Sequence, residues 1–285
     1  KTRSCIVASL QGCAPTPEQP ATMPATTGKR GREEEPAAAT PSAASPSFTH
    51  APLSYFALEE LTPKGRRKNV DNGDPHDASR PLVKLGTASV GSWHCTEGGW
   101  DSAAPRLTTE SFHVLAGEGS VTDLDGTAHS FGPGDTVVLP KGWSGRWDVT
   151  KAIHKVWVVH EHEDVAGASV AAVVTPPGSF ASAEMTPQGV RKDAVHGQPS
   201  SSTRKVYNAG TTAVGCWTCT PGGFPVVHRP TTECFHVLEG LFFLTNTDGS
   251  ARRCGPGDTV VLPKGWSGHW DIIETVKKIW VVLSD

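Results

Sequence analysis

The chain has 285 residues, 37% of them hydrophobic, with 30 Gly and 23 Pro. A formal net charge of −3 provides no global basic field for nucleic acid, and no apolar run nears the ~18 residues of a membrane helix. The length allows two ordinary domains plus a tail, and the high Gly and Pro content points to turn-rich β structure beside a disordered segment.

In chain order, residues 1–50 are mainly Ala, Pro, Thr, Ser and charge. Such a segment buries too little apolar surface to offset its ordering entropy, so disorder is expected. Residues 51–79 read as an irregular lead-in. Tyr55–Leu61 has the length for one or two helical turns before Pro63, and the basic Lys64–Lys68 reads as a solvated loop. From about Arg80, short β-branched runs alternate with Gly, Pro, Asn and Asp turns, and no long segment of helical period follows. This gives an all-β chain, with one domain at 80–165, a linker at 166–199 and a second domain at 200–285. Within the linker region, "HEHED" (His160–Asp164) directly follows a strand and reads as a solvated strand end.

The two domains are copies. "GPGDTVVLPKGWSG" runs from Gly132 to Gly145 and again from Gly255 to Gly268. "TTESFHVLAG" (Thr108–Gly117) aligns with "TTECFHVLEG" (Thr231–Gly240), and "GSWHCTEGGW" (Gly91–Trp100) with "GCWTCTPGGF" (Gly215–Phe224). Short strands with Gly/Pro turns on this scale suit a sandwich or small barrel. The seven cysteines are odd in number and scattered, unlike a disulfide framework, so a reducing, cytoplasmic compartment is expected. Cys216 and Cys219 have CxxC spacing, but on a strand they face opposite ways and read as two small packed side chains.

These motifs resemble the cupin superfamily. A Gly, five residues, then Pro-x-Gly (Gly134 to Gly142, Gly257 to Gly265) is similar to its second signature, and Glu110 before Gly117, with Glu233 before Gly240, to its first. The wording of the repeat is closest to the EutQ-like, (S)-ureidoglycine aminohydrolase-like branch of the RmlC-like cupins. The resemblance implies two tandem double-stranded β-helix (jelly-roll) barrels, packed as an intramolecular pseudo-dimer, with further homodimerisation left open. It also implies a small-molecule ligand, with neither nucleic acid nor membrane as a partner.

Typical metal cupins use three His and one Glu. At those four positions the first copy has Ala103, Pro105, Glu110 and Gly145, and the second has Val226, His228, Glu233 and Gly268. No metal is expected in the first barrel. If the second holds one, it is a weakly bound divalent ion on His228 and Glu233. These two are also the candidate catalytic pair, since the second copy alone keeps a ligand-type His. The resemblance implies that Glu110 and Glu233 face the barrel interior, and strand alternation puts Phe112 and Phe235 on the same faces. Trp147 and Trp270 are expected to fill the space of the missing third His. Lys155 and Lys278, at matching positions on the last strand, complete the expected lining as partners for the buried carboxylates. Three readings of function follow: a small-molecule-binding, (S)-ureidoglycine aminohydrolase-like bicupin with degenerate metal sites, a metal-dependent hydrolase or oxygenase acting on a small nitrogenous metabolite through the second barrel, and a non-catalytic structural or interaction module.

Overall fold

The computed structural model describes residues 45–163 and 167–284. Most of the segment expected to be disordered, residues 1–44, lies outside the described residues. The described chain is all-β: two ten-stranded antiparallel sheet systems, with four short 3-10 turns and no α-helix among the described residues.

Each sheet system curls into one barrel, and the two share one topology. In the first, the path runs from Val173–Thr175 through Thr136–Leu139, Thr109–Asp123, Gly145–His160, Ala88–Cys95 and His76–Leu85 to Thr62–Arg66. In the second, it runs from Thr49–Ala51 through Thr259–Leu262, Thr232–Asn246, Gly268–Leu283, Thr212–Cys219 and Ser200–Ala209 to Thr186–Val190. The two long strands of each barrel pair along their length and bend at register shifts, between Val149 and Lys155 in the first barrel. Gly117 sits at that bend with φ 90°, where a β-carbon would collide with the Ala152 carbonyl. Gly240 repeats the arrangement against Thr275. The glycine of the first signature is therefore required by the corner that bends the strand.

The first strand of each path comes from outside its own repeat. Thr49–Ala51, which precedes the first barrel, pairs with Thr259–Leu262 of the second. Val173–Thr175, which precedes the second, pairs with Thr136–Leu139 of the first. Each barrel thus closes an edge with a strand donated by the other half of the chain. Residues 45–50, expected to belong to a disordered tail, are docked: the Ser267 N–H donates to Ser45 Oγ at 2.7 Å, and Phe48 packs edge-on to Trp266. The segments read as irregular lead-in and linker carry strands as well, Thr62–Arg66 and Val70–Gly73 in one, Thr186–Val190 and His196–Gly197 in the other. Tyr55–Leu61 overlaps two 3-10 turns, Leu53–Phe56 and Leu58–Glu60.

The barrels also share an apolar seam, in which Ala88, Val90, Val138 and Val158 of the first pack with Val214, Cys234, Val261 and Val281 of the second. His113 and His236 face each other across it with ring centres 5.3 Å apart, each beside a threonine, Thr136 and Thr259. His160 is not solvated as expected. It is buried and shares a 2.7 Å hydrogen bond with Thr212 of the second barrel. Cys216 and Cys219 lie in different apolar clusters, and all five described cysteines are free and buried.

Candidate ligand pockets in the two barrels

The inner faces of the two barrels meet the same problem, a largely buried carboxylate. Glu110 and Glu233 sit on the long strands that begin at Thr109 and Thr232, and both are buried. Two cations answer each of them. Lys155 Nζ donates to Glu110 Oε1 at 2.8 Å, and Arg106 reaches Oε2 at 2.7 Å. Lys278 meets Glu233 at 2.8 Å and Arg229 at 3.0 Å. Burial opposes ionisation of Glu110, but Lys155 and Arg106 outweigh it and hold the carboxyl at about 2. Glu233 is also held below its usual value, by Lys278 and Arg229 against the same burial. Burial in turn pulls both lysines below the ordinary amine value, against the pull of their glutamates.

Aromatic rings surround each ammonium. Lys155 Nζ lies 3.8 Å from the centre of the Phe112 ring and 4.7 Å from Trp93 and Trp147. Lys278 Nζ lies 3.9 Å from Phe235, 4.6 Å from Trp270 and 4.9 Å from Trp217. The negative faces of these rings supply attraction that water would otherwise give.

A cavity of about 270 Å³ opens above the first triad, with Glu110, Arg106, Lys155, Trp147 and Arg67 in its wall. The second, of about 200 Å³, is walled by Glu233, Arg229, Lys278, Trp270 and Arg191. Arg67 belongs to the basic run read as a solvated loop. Instead it bonds Asp77 at 2.8 Å and lies 5.0 Å over the Trp100 ring. Its counterpart Arg191 stacks 3.8 Å from Phe224 and is bonded twice by Asp193. In each barrel three cations face two carboxylates, which leaves one excess positive charge.

The fourteen-residue repeat explains how the arginine is aimed. The Arg106 N–H donates to Trp143 O and the Gly142 N–H donates to Arg106 O, pinning the arginine to the Pro-Lys-Gly-Trp turn. Arg229 is pinned to Trp266 and Gly265 in the same way. The turn is anchored in its own right. Asp135 accepts from the Gly132 N–H at 2.8 Å, and the Trp143 indole N–H donates to Asp123 at 2.7 Å. Neither arginine stood out in the sequence, although "RLTTE" and "RPTTE" set an Arg four residues before each Glu.

Of the residues expected to line the pockets, Glu110, Trp147 and Lys155 share the first wall, and Glu233, Trp270 and Lys278 the second. Phe112 and Phe235 lie against the lysines from behind. His228 does not join Glu233. It is exposed, in the left-handed region at φ 44°, with its backbone N–H held by Ser267 Oγ at 2.9 Å. The inner strand ends at Val226, so strand alternation no longer governs where His228 points. Its absence from the second wall removes the feature that set that barrel apart.

The donor set in the barrels does not fit a metal. The carboxylate in each cavity wall, Glu110 or Glu233, is already shared between two cations. The position of the third His is closed as well, since a β-carbon at Gly145 or Gly268 would collide with the Thr122 or Thr245 carbonyl and with the Trp143 or Trp266 indole. Trp143 and Trp266 thus do the space-filling expected of Trp147 and Trp270, which face the cavities.

The EutQ-like cupin domain family matches the chain twice, at residues 82–157 and 206–280. Among solved structures, a protein of unknown function of the DUF861 family from Pseudomonas syringae pv. tomato is similar at 19% identity. It covers 83% of this chain and 99% of its own, with a TM-score of 0.64. A putative glyoxylate induced protein from Pseudomonas aeruginosa matches at 16% identity, with 87% and 93% coverage and a TM-score of 0.61. The E. coli protein Ylba, also of the DUF861 family, matches at 11% identity, with 85% and 94% coverage and a TM-score of 0.55. Among curated sequences no relative matches the chain.

Proposed function

The chain belongs to the EutQ-like cupin domain family as a two-barrel member, and we propose that each barrel binds a small organic anion without a metal. The observation that carries this reading is the triad of one carboxylate, one ammonium and one guanidinium, built twice with matching geometry under an open cavity. One excess positive charge in each pocket favours a monoanion. The guanidiniums of Arg106 and Arg229 stand in the cavity walls. An arginine fork matches a carboxylate, and the indoles of Trp93, Trp147, Trp217 and Trp270 offer apolar faces to the rest of the ligand. Cavities of about 270 and 200 Å³ lie below the usual size of ligand pockets, which points to a small ligand.

Binding fits this geometry better than hydrolysis. A general base works best with a pKa near the working pH, and Glu110 is held at about 2 between two cations. It serves as the fixed counter-charge that keeps Lys155 and Arg106 in place. Five free, buried cysteines suit a reducing compartment. Among the described residues no helix is long and apolar enough to cross a membrane.

Thermal denaturation with the monoanions benzoate, acetate and formate, set against benzylamine as a cation of benzoate's size, tests the reading. The anions should raise the melting temperature and benzylamine should not. If no anion shifts it, or if benzylamine shifts it as much, the pockets are structural and the chain is a non-catalytic module.

A further inference from the structure

Outside the pockets, His50, Cys254 and Asp258 bring one imidazole nitrogen, one sulfur and one carboxylate oxygen within 4.8 Å of one another. His50 Nε2 and Asp258 Oδ2 are 3.0 Å apart, and their side chains are 14% and 15% exposed. Cys254 is fully buried beside them. His50 comes from a distant part of the sequence, whereas Cys254 and Asp258 are close neighbours. His50 lies on the donated strand Thr49–Ala51, Cys254 ends the strand Ala251–Cys254, and Asp258 lies in the Gly-Pro-Gly-Asp turn that follows.

The repeat supplies an internal control. His50 pairs with Val260, and Val174 pairs with Val137, so His50 and Val174 are equivalent. The first-barrel counterparts of the three residues are therefore Val174, Phe131 and Asp135. Asp135 accepts from the Gly132 N–H just as Asp258 accepts from the Gly255 N–H, so the aspartate alone is accounted for by the turn. The turn does not account for the other two. Where the first barrel has two apolar side chains, the second has two strong ligands for a borderline-soft metal, and the Cys254 thiol has only a 3.9 Å contact to the Arg252 carbonyl.

We propose that His50, Cys254 and Asp258 form a zinc site that clips the donated strand to the second barrel. One nitrogen, one sulfur and one oxygen suit tetrahedral Zn²⁺, with water in the fourth position. Bond lengths of about 2.0–2.3 Å set neighbouring ligand atoms roughly 3.3–3.7 Å apart, so from a spread of 4.8 Å the sulfur has at most about 1.5 Å to travel. The partly exposed His50 and Asp258 give the ion a way in. Because one ligand arrives on the exchanged strand, the site exists only while that strand is docked, and binding is coupled to docking.

The test uses the full chain, stripped with a chelator and titrated with Co²⁺ and then Zn²⁺. One equivalent of Co²⁺ should give a near-ultraviolet thiolate-to-metal charge-transfer band, and Zn²⁺ should displace it. His50→Val, which installs the residue found in the first barrel, should lose the band and weaken Co²⁺ binding by at least about tenfold while keeping the circular dichroism spectrum of the parent. Cys254→Ala should do the same. If that core variant does not fold, His50→Val and Asp258→Asn decide the matter. A titration without a thiolate band overturns the proposal, as does a band of unchanged affinity in His50→Val.

Discussion

The ammonium of Lys155 meets the carboxylate of Glu110 at 2.8 Å inside the first barrel, and the side chains are only 5% and 10% exposed. Removing one partner of such a pair leaves a buried charge, which costs about 3–5 kcal/mol. Arg106 still holds Glu110 after Lys155→Met, so the loss should fall near the low end. Replacing both, as Lys155→Met with Glu110→Leu, should recover stability relative to either single variant. Urea denaturation of the three variants and the parent gives the coupling. A double variant as unstable as the sum of the singles would mean that the two residues act independently.

Acid should weaken the seam between the barrels. Burial pushes His113 down to about 4 and His236 to about 3, the latter also through the facing His113 and against a smaller opposing effect of Asp258. Unfolded, both titrate near 6.5. As pH falls below about 6.5 the unfolded chain takes up protons that the folded chain refuses, so stability drops until the folded values are reached. Glu110 acts in a lower window. Its folded pKa lies below its unfolded value, so its contribution is present above about 4.5 and is lost towards about 2. Stability should therefore decline between pH 6.5 and 4, and His236→Leu should flatten that decline. An equal slope in the variant assigns the decline to other groups.

Neither third-His position should accept a side chain. Gly145→Ala and Gly268→Ala each push a β-carbon into a backbone carbonyl and an indole, an overpacking that costs about 1–3 kcal/mol. Calorimetry should show a clear loss for both, and Gly268→His should not create a metal site in the barrel. A stable Gly268→His variant that binds Mn²⁺ through its new histidine would contradict the closed geometry.

Truncation to residues 52–285 should expose one barrel edge and leave the other covered. Thr259–Leu262 loses its partner strand, whereas Thr136–Leu139 keeps Val173–Thr175. Hydrogen exchange should quicken at Val260 and Val261 and stay slow at Val137 and Val138. Equal protection at the two sites would show that the donated strand adds nothing.

Much of this was legible in the chain. Duplicated turns and period-two strands pointed to a duplicated β domain, and the likeness to the cupin signatures supplied the two barrels and the inward Glu110 and Glu233. The lysines on the last strand were visible as candidates because they fall at matching positions. The strands Thr62–Arg66 and Thr186–Val190 were hidden by Pro63 and Pro187, which argue against a central strand. Both sit on edge strands, where a missing N–H is tolerated. His228 was misplaced because it was matched to a ligand position of the family, and here the chain has left the strand at Val226 before reaching it. Strand exchange leaves no local trace, since the pairing of Thr49–Ala51 with residues about 210 positions away is decided by tertiary packing.

The most direct test of the anion pockets is calorimetric titration of benzoate into the parent, Arg229→Ala, and the pair Arg106→Ala with Arg229→Ala. The geometry predicts two sites per chain, then one, then none, with all three proteins still folded by circular dichroism. A stoichiometry that stays the same across the series would contradict the assignment of the pockets to the arginine, lysine and glutamate triads.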